Sequence, residues 1–144
     1  MYVGLLIGVA TVVLGACTST QDPLAGVRGR EPDPALTPRE VVEIQLQALG
    51  NNSPSDEGIG IAFRFASPTN RATTGPLPRF AGMIKQDPYM VMLDYDRIAY
   101  APLILGDGVA IQRVKLYRGT QVTVFDFVLR KQRSKECRGC WMTD

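Results

Sequence analysis

The residues able to do chemistry in this chain are few, because it contains no histidine. Serine–histidine–aspartate and cysteine–histidine nucleophiles, histidine-bound zinc and histidine acid–base steps are excluded by that absence. Any reaction has to run on carboxylates, lysine, tyrosine or cysteine. The carboxylate with the most suggestive surroundings is Asp126, set between Phe125 and Phe127 in the apolar stretch VTVFDFVL. A carboxyl walled by apolar side chains has a raised pKa and can serve as a general base. Strand alternation groups Asp126 with Val122, Val124 and Val128, opposite Phe125, Phe127 and Leu129. Both faces are apolar, so periodicity leaves open which of them lines a cavity. The competing reading puts Asp126 at a sheet edge, or in an ion pair with Arg113 or Lys115 on a neighbouring strand. Tyr95, Tyr100 and Tyr117 are candidates for a second polar group in a pocket, although strand aromatics more often pack.

Cys137-Arg138-Gly139-Cys140 is a CxxC pair. Redox pairs of this kind open a helix after a strand, where the helix terminus lowers the pKa of the first thiol. Here the pair falls in a glycine turn at the last strand. A metal site would need a second pair, and the third cysteine, Cys17, belongs to the N-terminal leader. No metal or cofactor is therefore expected, and in an oxidising compartment the pair reads as a disulfide.

Arg71 and Arg79 lie in FASPTNRATTGPLPRF, residues 65–80. With Ser67, Thr69 and Asn70 they could bind an anionic ligand. The stronger reading is a rigid corner between two helices. Its Ser, Thr and Asn side chains bond their own backbone, Pro68, Pro76 and Pro78 fix φ, Gly75 allows the reversal, and Phe80 anchors it. Arg130, Lys131, Arg133, Lys135 and Arg138 form a basic run broken by Glu136. Such a run is a solvated hairpin or a contact for an anionic surface. The formal net charge of +2 is too small to imply a nucleic-acid partner.

Three segments have to position these groups. Residues 1–16, MYVGLLIGVATVVLGA, are uncharged and apolar. As a helix they extend about 24 Å, short of the roughly 20 residues that span a bilayer comfortably. They end in Leu14-Gly15-Ala16-Cys17, which looks like a lipobox with Cys17 as the lipidated residue. Met1-Tyr2-Val3 lacks the positive charge that normally opens a signal peptide. A start further upstream, another secretory or organelle route and an uncleaved anchor therefore stay open beside the lipoprotein reading. Each puts the domain beside or across a membrane: extracytoplasmic and periplasmic-lipoprotein-like, or at a plastid membrane or lumen in a photosynthetic eukaryote. Residues 18–36, with prolines at 23, 32 and 34, read as a flexible linker. The folded unit is expected over 37–144.

Within that unit, Thr37-Pro38-Arg39-Glu40 is a capping box that opens a helix ending at Gly50. A second helix is expected from Ser55 or Asp56 to Pro68, burying Ile59, Ala62, Phe63 and Ala66. A third, near 78–85, buries Phe80, Ala81 and Ile84. Strands follow at about 94–104, 109–117, 121–131 and 138–143, with tight turns at Gly106-Asp107-Gly108 and Arg118-Gly119. The class is α+β: about three N-terminal helices on a curved, four-stranded antiparallel sheet.

Phe65 to Pro68, Arg79-Phe80 through Met83, and Trp141 with Asp144 resemble a family of short proteins of unknown function. Its members occur in bacteria, commonly with signal peptides, and in plants and algae. The resemblance covers about residues 37–144 and implies a cone-shaped fold of the nuclear transport factor two-like (cystatin-type) kind. In that family the final strand continues past the Asp, so a chain stopping at Asp144 is expected to leave a strand edge open. The fold hosts enzymes and binding domains alike and brings no activity. The expected function is a membrane-tethered or exported binding module, with a small ligand or a protein as partner. The alternatives are an isomerase-like or hydrolase-like enzyme using Asp126 in a cone cavity, with Arg71, Arg79, Tyr95 and Tyr117 as ligand contacts, and an assembly factor for a membrane complex.

Overall fold

The computed structural model describes residues 21–144; the apolar segment 1–17, with Cys17, lies outside them. The fold is α+β, with four α-helices followed by an open five-stranded antiparallel sheet. No helix among the described residues is long and apolar enough to cross a membrane.

α1 (Pro38–Gly50) starts where the capping box predicts: Thr37 accepts from the Glu40 amide, and Glu40 returns the bond to the Thr37 amide. Its buried face, from Val41 to Leu49, contains one polar side chain, Gln45. α2 (Glu57–Arg64) is shorter than expected and is capped differently. Asp56 has a left-handed φ of 62° and binds Lys85, while Ser53 and Asn52 accept from the Glu57 and Ile59 amides.

α3 (Pro68–Thr74) occupies what the sequence presents as a corner of turns. Ser67 caps it through the Asn70 amide, and none of its residues is buried. α4 (Leu77–Ile84) buries Phe80, Ala81 and Ile84 as expected, and a short 3-10 helix (Tyr89–Leu93) leads into the sheet.

The strands are β1 (Arg97–Tyr100), β2 (Ile104–Gly106), β3 (Val109–Arg118), β4 (Gln121–Lys131) and β5 (Trp141–Thr143). β1 and β2 both pair with β3 and correspond to the single expected strand over 94–104. Between the pairs Tyr100↔Val114 and Ile104↔Ile111, three residues face two, so the strand carries a bulge at Pro102. Proline has no amide to give the ladder, which is why the interruption falls there. Asp107 and Gly108 both have positive φ, the geometry of a two-residue hairpin turn, and Gly119 has φ +57° at the next one.

Helices cover one face of the sheet. Val114, Leu116, Phe127 and Leu129 enter a common core with Val41, Val42, Leu46, Ile59 and Phe65. The opposite face is open, with Val122 and Val124 exposed. The outer edge of β5 is covered at Thr143, where Ala66 makes a parallel bridge. The Ser67 amide donates to the Thr143 carbonyl at 2.7 Å, and the Thr143 amide donates to Phe65 at 2.8 Å. The edge expected to stand open is thus paired at that residue.

The described part of the expected linker packs on the domain. Leu24 and Val27 are buried, Arg28 bridges Asp22 and Glu57, and the Arg64 guanidinium donates to the Arg28 carbonyl. Two apolar residues three apart in a turn are too few to show a period, yet they suffice to seat an arm.

Candidate functional site

A cavity of about 260 Å3 opens between α1, α3, α4, the 3-10 helix and the inner face of β4. Its walls are apolar: Leu49, Phe80, Met83, Ile84, Met92 and Phe125. One end is polar and comes from three separate elements. From α1, Gln45 donates through Nε2 to the Ala62 carbonyl at 3.1 Å and accepts from the Thr143 hydroxyl at 2.6 Å. From α3, Asn70 donates to the Thr143 carbonyl at 3.1 Å and receives the Thr74 hydroxyl at 3.0 Å. β5 supplies Thr143 and leads directly to Asp144. Beneath this end, the Ser67 hydroxyl donates to Asp144 Oδ1 at 2.7 Å, and Arg130 pairs with the other carboxylate oxygen. Every polar group here already has a partner, so the end is held rigid before anything binds.

The Phe65–Ser67 and Trp141–Asp144 stretches, far apart in sequence, therefore join at the foot of this cavity. Ser67 is the junction: it is buried, it caps α3, and it bonds Asp144. Sequence reading missed Gln45, Thr74 and Thr143 as lining groups, and named Asn70 only as a partner of Arg71 and Arg79 for an anion. A glutamine on the apolar face of α1 is the one signal that could have raised the first of them.

Asp126 borders the cavity, but its carboxylate is paired away from it, against the expectation for a general base. The helices pack on the Phe125–Phe127–Leu129 face, and Tyr89 stacks on Phe125 with ring centroids 6.0 Å apart. Asp126 alternates to the open face. There its two oxygens accept from Arg113 Nε and Nη2 at 2.7 and 2.8 Å, with the side chain 41% exposed. The Arg113 guanidinium holds its carboxyl below the usual carboxylate range, opposite to the rise that an apolar wall would cause.

The four expected ligand residues are not assembled either, and none of them lines the cavity. Arg71 spends its guanidinium on the carbonyls of Ala66 and Arg64, tying off the end of α2. Arg79 is exposed on α4. Tyr95 donates to the Leu46 carbonyl at 2.8 Å, and burial pushes its phenol up. Tyr117 lies on the open face under the Arg97 guanidinium, 3.6 Å from its ring centroid. Tyr100 is likewise covered, by Arg39, and burial pushes its phenol up to about 12. Cys137 and Cys140 are joined by a disulfide. Among the described residues no group of three or more His, Cys, Asp or Glu is placed to hold a metal.

Residues 32–144 match the family described as a domain of unknown function (DUF4864), and the chain belongs to that family. Among curated proteins and among solved structures there is no match.

Proposed function

For a chain whose family carries no assigned activity, we propose a membrane-tethered or exported binding module that takes a small, mainly apolar molecule in the cavity between its helices and sheet. The observation that carries this reading is the cavity itself, with apolar walls and one prearranged polar end. At about 260 Å3 it is just under the roughly 300 Å3 at the low end of ligand sites, so the occupant is small. A polar head would meet Asn70 and Thr74, with its apolar body against Met83, Ile84 and Phe125. The enzymatic alternative is weaker, because Asp126, although it borders the cavity, has both carboxylate oxygens bound by Arg113, which lowers its pKa rather than raising it.

Native mass spectrometry of the full chain, purified from its own membrane, tests the reading. A small copurifying mass is expected. Met83→Trp, which fills the cavity, should weaken its binding by roughly tenfold or more, the equivalent of about 1.4 kcal/mol. Asp126→Asn should leave it unchanged. A mass retained at full occupancy by Met83→Trp overturns the cavity, and loss in Asp126→Asn restores the enzyme reading.

The tether is proposed through Cys17. Radiolabelled palmitate should enter the wild-type chain and not Cys17→Ser, and equal labelling of the two would sink the lipoprotein form of the proposal. The corresponding location is extracytoplasmic, at a membrane surface. A second reading, an assembly factor for a membrane complex, draws on Ile104, Leu105, Val122 and Val124, which are exposed on the sheet and its edge.

A further inference from the structure

The basic run is not spread around the molecule. β4 ends in Arg130 and Lys131, and the loop 132–140 folds back so that Arg133 and Arg138 line the same broad depression beside the 107–108 turn. The loop is closed at its base: the Gln132 amide donates to the Cys140 carbonyl and the Gly139 amide to the Gln132 carbonyl, both at 2.8 Å. The disulfide and the buried Cys140 pin the same end. Four cations thus share the depression with two carboxylates, and one of these, Asp144, is already bound by Arg130 and Ser67. Lys131, Arg133, Lys135 and Arg138 are exposed and have no ion-pair partner among the described residues.

We infer that this end of the sheet is a docking surface for an anionic lipid bilayer. A site for one small anion gathers buried donors onto a point, whereas these cations are solvated and spread across a broad, open depression. That distribution fits a plane of negatively charged headgroups, to which each cationic side chain adds favourable energy. The same chain carries an uncharged apolar segment at residues 1–16. The inference rests on the membrane-tethered reading only for its choice of partner. Once the N-terminal tether holds the chain at a bilayer, the basic end sets which face of the domain turns to the lipid.

The test uses the full chain and vesicles of phosphatidylcholine, alone or with phosphatidylglycerol added. The N-terminal tether, uncharged in either form, contributes to both alike, so the ratio of the two affinities reads the basic end. The wild type should favour the anionic vesicles. Changing Lys131, Arg133 and Arg138 together to Gln should cut the ratio on the order of a hundredfold, about fivefold for each side chain. Arg133→Gln alone should cut it about fivefold, and molar salt should abolish the preference. A ratio near one in the wild type, or one unmoved by the substitutions, overturns the inference. So does loss of vesicle binding to millimolar inorganic phosphate at constant ionic strength, which would mark a soluble-anion site. Palmitate labelling of Cys17 reads the tether separately, so failure of one idea is distinguishable from failure of the other.

Discussion

Phe65→Ala is expected to destabilise the domain by about 3–5 kcal/mol and to lower its melting temperature by roughly 15 °C or more. Phe65 is fully buried, and its backbone has two further duties: it terminates α2 and accepts the Thr143 amide. Removing the ring deletes apolar contacts and leaves a cavity where helix end and sheet edge meet, so packing cannot close over it easily. Against a total of about 5–15 kcal/mol for a domain, the loss is a large fraction. Chemical denaturation measures it. Amide exchange at Thr143 should speed up more than exchange in β3, because the clamp on β5 goes first. A change below about 1 kcal/mol, the size of an ordinary surface substitution, would show that the ring is not the anchor.

Gly58→Ala should also destabilise, by about 2–3 kcal/mol, although helix propensity alone favours alanine by about 1 kcal/mol. Gly58 lies within α2, and a Cβ there would come 2.1 Å from the Ala48 carbonyl oxygen and 2.9 Å from Asn52 Cα. Both obstacles are backbone, at the end of α1 and just after it, and neither can swing aside as a side chain could. The two helices would have to separate. Gly82→Ala in α4 is the control. A Cβ at Gly82 meets nothing within 4 Å, so the propensity term acts unopposed and should stabilise by about 0.5–1 kcal/mol. Opposite signs for two Gly→Ala changes in helices, read by urea denaturation, check the close approach; equal signs would refute it.

Where local signals were strong, the sequence could be read well. The capping box at Thr37 and the apolar period behind it define α1, and the positive-φ residues Asp107, Gly108 and Gly119 sit at the hairpin turns. α3 escaped because a helix with no buried residue leaves no apolar period to detect. The bulge at Pro102 escaped because one extra residue changes register without changing composition. The candidate site was less legible. VTVFDFVL is apolar on both faces, and only the stacking of Tyr89 on Phe125 and the packing of helices beside it decide which face is inside. The bond from Ser67 to Asp144 joins residues 77 apart, which no local pattern records.

That separation bears on when the protein can fold. The sheet's edge at β5 is closed by residues 141–144 against 65–67, with Ser67 and Asp144 77 residues apart in the chain. Long-range pairings of this kind form late, because the intervening loop must be ordered before the contact repays it. Until then the Phe65 segment has no strand to clamp and α3 lacks its tie to Asp144. The helical half is thus locked only when this long-range pairing forms, a late step in folding.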